Sequence, residues 1–188
     1  MVVFGLIPTQ TEPAVADITS NNGNCSPTIE DSAGNTISEA AGVLDIKQLD
    51  DGDCVIQFLD TTTDYEWTVP SNITEAWVLV VGGGGEGGRS YGGGGGAGEF
   101  VEDETYQLTQ ANLNSQGAIA ISVGAGGSSG AAPATNGEDS TFGNLTAIGG
   151  GAGAGRSGGS HSSGQAGGSG GGGANGNSGG SSRAGDDG

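Results

Sequence analysis

Several residue patterns in this chain match the spacing of known chemical sites. Gly83-Gly84-Gly85-Glu86-Gly87-Gly88 follows an apolar run and has the GxGxxG spacing of a dinucleotide loop. Such a loop must open a helix whose N-terminus holds the pyrophosphate. Here Arg89-Ser90-Tyr91 leads into five more glycines, which cannot begin one. Ser128 and Ser169 both sit in GxSxG, yet a nucleophile elbow needs a strand before the serine and a helix after it. Ser128 has only the strand and Ser169 has neither. His161 is the sole histidine and has no carboxylate near it in sequence, so it reads as a solvated loop residue rather than a base. Acidic pairs such as Glu102/Glu104 fit a solvated strand edge. Asp50-Asp51-Gly52-Asp53 crowds carboxylates at a turn and offers a weak Ca²⁺ site at Asp50, Asp51 and Asp53, without EF-hand spacing. The competing reading is an ordinary acidic turn. No nucleophile, base or cofactor loop survives, and the expectation is a protein that is not an enzyme and carries no cofactor.

Composition narrows the class further. The chain has 188 residues, 43 of them glycine, and a formal net charge of −18. A surface of that sign repels phosphate backbones, which excludes nucleic acid as a partner. The four cations, Lys47, Arg89, Arg156 and Arg183, are scattered. No stretch reaches the roughly 20 apolar residues of a membrane span, so no membrane insertion is expected. Cys25 and Cys54 lie outside any CxxC pattern and read as one disulfide, the setting of an extracellular chain. Two unpaired thiols are the alternative.

Three parts follow one another along the chain. Residues 1–24 read as a leader or linker. Met1–Ile7 is apolar and Ala14-Val15-Ala16 fits a cleavage site, but no basic region precedes them. A truncated signal peptide and an ordinary N-terminal strand or tail both remain open there. Residues 25–148 carry short apolar runs separated by Gly, Asn, Asp and Ser. Strands are expected near 43–47, 54–58, 65–69, 76–81, 118–123, 141–142 and 145–148. A short helical turn is a candidate at 108–114, with Thr109 as its cap. The fold class is therefore all-β, a β-sandwich or jelly-roll-like module. Residues 149–188 are a glycine-rich low-complexity segment with no Val, Leu, Ile, Phe, Trp or Tyr.

The run from Trp67-Thr68-Val69-Pro70 to Val80-Val81-Gly82-Gly83-Gly84-Gly85 resembles the opening of the glycine-rich domain of bacterial surface proteins and phage tail adhesins. Later stretches match the same family in order. They are Gly95-Gly96-Ala97-Gly98-Glu99-Phe100-Val101, Ile121-Ser122-Val123-Gly124-Ala125-Gly126-Gly127 and Asn136-Gly137-Glu138-Asp139-Ser140-Thr141-Phe142-Gly143. The resemblance covers residues 54–155, with Glu138 where the family has glycine. A more distant likeness is to the glycine-rich extracellular domain of the anaplastic lymphoma kinase receptor family. The resemblance implies a β-sandwich whose glycine-rich loops pack as polyglycine II helices. It also implies adhesion, host recognition or surface architecture. The family usually closes with an apolar strand that this chain lacks before Asp186-Asp187-Gly188, which reads as a fragment or a replaced C-terminus.

Physics supports ordered glycine segments independently. An extended three-fold helix has no internal hydrogen bonds, so its N–H and C=O groups must find partners outside it. Glycine lets such helices approach backbone to backbone, and Ala, Ser or Asn are expected only where a helix meets solvent. A flexible linker is the other reading for 160–188. The leading functional expectation is a recognition module at the cell surface, outside the cell or on a virion tail, that binds a surface polysaccharide or protein. Its contact candidates are the larger residues that interrupt glycine: Arg89, Tyr91, Arg156 and His161. The rival is a structural module of a surface layer, stalk or filament that only self-associates. Association with ice or mineral is a distant third.

Overall fold

In a computed structural model the described residues are 1–6, 25, 27–49, 53–71, 73–109, 112–128, 133–155, 163–174 and 178–181. They form ten strands and no helix. One antiparallel sheet has the order β3-β4-β1-β6-β7, from Leu44–Gln48, Cys54–Phe58, Val2–Leu6, Glu75–Val81 and Phe100–Gln107. The other has the order β10-β9-β8-β5-β2, from Leu145–Ala147, Ser140–Phe142, Ala118–Ser122, Tyr65–Thr68 and Thr28–Asp31. The two sheets make a β-sandwich.

Alternation decides which side chains enter the core. In β4 the pattern buries Cys54, Ile56 and Phe58, and in β6 it buries Ala76, Val78 and Val80. Tyr65 and Trp67 from β5 meet Ile119 and Ile121 across the register with β8. Each fully buried side chain of this size contributes about 1.5–3 kcal/mol. Aromatic pairs tie the layers together: Phe58 of β4 lies 4.9 Å from Tyr65 of β5, and Tyr106 of β7 lies 5.3 Å from Phe142 of β9. Burial pushes the hydroxyl pKa of both tyrosines up. Each hydroxyl donates, Tyr65 to Val43 O (3.3 Å) and Tyr106 to Asn144 Oδ1 (2.7 Å). At two exposed turns a carboxylate organises the backbone. Hydrogen bonds from Asn35 hold Asp31 below the usual range, and those from Thr63 and Thr62 do the same for Asp60.

The structure corrects the sequence reading in three places. Within the stretch read as leader or linker, with an ordinary N-terminal strand as the open alternative, residues 2–6 are a strand. They form the middle strand of their sheet, with Val2 facing Phe58 on one side and Val80 on the other. The helical candidate at 108–114 is a pair of turns where it is described, closed by Asn112 N to Thr109 O and Gly117 N to Asn114 O. Strand β7 is longer than its apolar content suggests. A register shift between Ala76 and Val78 breaks its alternation, so only Val101 and Tyr106 of β7 are buried.

The expected disulfide is present. Cys25 joins Cys54 with a Cα–Cα distance of 5.8 Å, so the chain entering β2 is fixed to β4 of the opposite sheet. The sequence separation is 29 residues, and closing such a loop in the unfolded chain stabilises the fold by about 3–4 kcal/mol. The double variant Cys25→Ala/Cys54→Ala should lose about that much in chemical denaturation, and thiol titration of the unfolded, unreduced protein should find no free thiol. Two titratable thiols would remove the staple from the account.

Candidate functional site

At one end of the sandwich β6, β8 and β10 continue into extended segments that include the glycine-rich stretches, and β7 and β9 begin from such segments. Eight such rods are described: rod 1 (82–88), rod 2 (92–99), rod 3 (123–128), rod 4 (134–139), rod 5 (148–155), rod 6 (163–168), rod 7 (169–174) and rod 8 (178–181). Rods 1 and 2 form a hairpin between β6 and β7, and rods 3 and 4 link β8 to β9. Rod 5 leaves β10, and rods 6, 7 and 8 complete the bundle.

The rods bond to one another at every third residue. Gly82, Gly85 and Gly88 donate to Glu99, Gly96 and Gly93, so rods 1 and 2 run antiparallel. Gly150 and Gly153 donate to Gly83 and Glu86, so rods 5 and 1 run parallel. The same step joins Gly164 and Gly167 of rod 6 to Ser178 and Ser181 of rod 8. Three residues per turn is the repeat of an extended helix without internal hydrogen bonds. Such a backbone sends N–H groups along three directions and C=O groups along three more.

Rod 5 uses all six. Its N–H groups reach rod 1 from Gly150 and Gly153, and rod 7 from Gly151 and Ala154. Its C=O groups accept from rod 2 at Ile148, Gly151 and Ala154, from rod 6 at Gly149 and Ala152, and from rod 4 at Gly150. These bonds span 2.7–2.9 Å. No rod lies along the sixth direction. There Gly149 N donates to Asp139 Oδ1 and Ala152 N donates to Asn136 Oδ1, both at 2.8 Å. Asn136 Nδ2 in turn donates to Ala166 O of rod 6 (3.2 Å). Two side chains three residues apart on rod 4 thus take the place of a sixth backbone.

Close approach explains why these positions are glycine. A Cβ at Gly150 would stand 2.1 Å from Gly96 O, and one at Gly85 would stand 2.3 Å from Gly151 O. Ala152 and Ala154 are fully buried in rod 5, contrary to the expectation that alanine appears only at solvent. The same faces at Gly149 and Gly151 would collide with Gly137 O and Gln165 O. The bundle is anchored to the sandwich by Ser140, whose Oγ donates to Val81 O (2.7 Å) and accepts from Gly124 N (2.9 Å), bridging the two sheets. Glu99 Oε2 accepts Ile148 N (2.9 Å) at the same junction.

The contact candidates divide in two. Arg89 and Tyr91 stand in the turn that joins rods 1 and 2, and Tyr91 is 86% exposed. Ser90 and Tyr91 both adopt positive φ, 54° and 61°. Left-handed backbone costs a non-glycine residue about 1–2 kcal/mol. Arg156 and His161 lie outside the described residues, within the connection between rods 5 and 6. Rod 2 next to that turn bonds to the end of rod 5 through Gly93 N to Ala154 O (2.8 Å). Of the Ca²⁺ candidates, Asp50 and Asp51 are also outside the described residues, and Asp53 precedes β4 with its carbonyl accepting Leu49 N. Among the described residues no three His, Cys, Asp or Glu side chains come together as a metal site. A shallow cavity of about 280 Å³ lies over the other sheet, beside Asp64, Glu66, Ser122 and Thr141. Ser122 and Thr141 bond to each other there (2.8 Å).

Sequence reasoning missed Asn136, Asp139 and Ser140 as working residues. Their signal was present in part, since Asn136 and Asp139 are polar residues three apart, the repeat of the rods, and Ser140 follows directly at the start of β9.

Fold and site together define an all-β sandwich that carries a hydrogen-bonded bundle of glycine-rich segments. A family model described as a glycine-rich domain matches residues 60–188, and the chain belongs to that family. The match begins after β4, so β1 to β4 lie outside it. Neither the curated proteins nor the solved structures contain a match to this chain.

Substitutions within the bundle should separate by position. Gly150→Ala should destabilise the fold by about 1–3 kcal/mol through overpacking, and Asn136→Ala by about 1–3 kcal/mol through an unpaired buried N–H. Gly84→Ala, whose Cβ would have no neighbour nearer than 3.8 Å, should be neutral or stabilising by about 0.4–1 kcal/mol. Thermal denaturation of the three variants reads the order, and equal effects would contradict the packing described here.

Proposed function

We propose that this protein is a non-enzymatic, extracellular recognition module whose rods are polyglycine II helices. In this reading the sandwich holds the bundle, and the bundle presents rigid tips to a cell-surface polysaccharide or protein. The three-residue repeat of backbone bonds favours the polyglycine II assignment. A disulfide, and the absence among the described residues of any helix long and apolar enough to cross a membrane, are compatible with a place outside the cell.

The observation that carries the reading is the turn at 89–91. Glycine would adopt positive φ there without strain, and the flanking residues are glycine on both sides. The chain instead holds Ser90 and Tyr91 in that conformation and exposes the tyrosine almost completely. Strain retained at an exposed tip points to use of the side chains. Tyrosine and arginine supply large contact area together with hydrogen bonding, the composition of binding hot spots. The rival reading, a surface-layer, stalk or filament module with no discrete ligand, draws on the extent of the flat backbone face.

The test is binding of the labelled protein to a panel of bacterial cells and purified surface polysaccharides, with and without Ca²⁺. Saturable binding is expected to weaken roughly tenfold or more in Tyr91→Ala and in Arg89→Ala, with no loss of thermal stability. Absence of binding across the panel would favour the structural reading.

A further inference from the structure

The outer face of the sheet that contains β8 carries a trough. Along β8, Ala118, Ala120 and Ser122 alternate with the core residues Ile119 and Ile121 and so lie on the side away from the core. The strand thus offers two methyl groups and one hydroxyl as a floor, over about 13 Å from residue 118 to residue 122. Gly143, whose N–H donates to Ala120 O (2.9 Å), extends that floor without a side chain. Two hollows meet at Ala120. The cavity of about 280 Å³ runs toward Asp64, Glu66, Ser122 and Thr141. A second, of about 270 Å³, runs toward Asn112, Asn114, Gly143 and Asn144.

The two banks of the trough differ in chemistry. On one, Glu66 of β5 stands directly opposite Glu30 of β2 in the strand register. Asp64 lies two residues from Glu66 and faces the same hollow. Like charges facing each other across a strand pair weaken a sheet. Among the described residues Glu30, Asp64 and Glu66 have no hydrogen-bond or ion-pair partner to offset that. The two described basic side chains are elsewhere, Lys47 on β3 of the other sheet and Arg89 in the turn between rods 1 and 2. On the other bank the amide oxygens are engaged. Asn114 Oδ1 accepts Gln116 N and Ala118 N (both 2.9 Å), and Asn144 Oδ1 accepts the Tyr106 hydroxyl (2.7 Å). That orients both Nδ2 groups as donors, and neither has a partner among the described residues.

We infer that this trough binds a short oligosaccharide that carries free amino groups. A protonated sugar amine at Asp64 and Glu66 supplies the positive charge that the Glu30–Glu66 pair lacks. Its three N–H donors suit carboxylates, which only accept. The apolar faces of the sugar rings rest on Ala118 and Ala120, and ring hydroxyls accept from Asn114 Nδ2 and Asn144 Nδ2. A peptide fits less well. Strand β8 lies between β5 and β9, so its backbone groups are spent within the sheet and present no edge for strand addition. A bare metal ion fits less well too, since no three His, Cys, Asp or Glu side chains gather among the described residues. The site lies on the sandwich and is separate from the 89–91 turn, so it stands whether or not that turn binds a ligand.

Calorimetric titration of the full chain with a glucosamine tetramer, at mildly acidic pH where its amines are protonated, tests the inference. The N-acetylglucosamine tetramer is the neutral comparison. Saturable binding of the first is expected, with binding of the second about tenfold weaker or absent. Glu66→Gln should weaken binding about tenfold and melt no lower than wild type, because it removes a carboxylate facing Glu30. Ala120→Trp fills the floor without changing charge and should also abolish binding. Tyr91→Ala, and Glu102→Gln/Glu104→Gln on the other sheet, should bind as wild type does. Four results would each overturn the inference: no saturable binding, equal binding of the acetylated tetramer, full binding by folded Glu66→Gln or Ala120→Trp, or an equal loss in the Glu102/Glu104 variant. The last would reduce the effect to diffuse attraction by a chain of net charge −18.

Discussion

A main chain without side chains still carries an N–H and a C=O on every residue, and both need partners when water is excluded. This requirement governs the glycine-rich half of the molecule. A strand meets it with two neighbours in a plane. A three-residue repeat meets it with six neighbours around an axis, provided every chain can approach closely enough. Glycine permits that approach, and rod 5 is its full expression, buried along 149–155 with its N–H groups from 148 to 154 all bonded. Where a sixth chain is missing, a primary amide and a carboxylate stand in. Asn136 is well suited because its side chain both accepts and donates, as a peptide group does.

The bundle does not stand alone. Isolated glycine-rich chains lose too much entropy on ordering to stay packed by backbone bonds only. The sandwich meets that cost by fixing where the rods begin and end. Strands β6, β7, β8, β9 and β10 deliver five rod termini to one end of the core, already spaced by sheet geometry. Ser140 and Glu99 then tie those termini to one another across the two sheets. The buried core of Trp67, Tyr65, Phe58 and Phe142 thus sets the register of a bundle that is held, among the described residues, mainly by backbone hydrogen bonds.

Much of the sandwich was legible in the sequence. Cys54–Phe58 and the run ending at Val81 show period-two or continuous apolar patterns bounded by turns, and they are strands at those places. The pairing of Cys25 with Cys54 followed from count and setting. Strand β1 did not, because Met1–Leu6 carries the same apolar signature as a leader, and only its pairing with β4 and β6 distinguishes the two. Strand β7 was obscured because its bulge and acidic residues break the alternation that defines a strand in sequence. The rods were expected from composition and family likeness, but their neighbours were not. Which rod faces which depends on long-range contacts that a run of identical residues cannot encode. Only the exceptions to glycine, such as Asn136, Asp139 and Ala152, mark positions in the bundle.

The central claim is that the glycine segments form an ordered, internally bonded bundle, and amide hydrogen exchange resolved at single residues tests it most directly. The N–H groups of Gly149 through Ala154 should exchange orders of magnitude more slowly than those of Gly84 and Gly87, which are exposed and have no hydrogen-bond partner among the described residues. Exchange of the whole of 149–154 at the rate of an unstructured chain, while Ile56, Val78 and Ile119 stay protected, would show a folded sandwich carrying loose glycine loops and would contradict the account.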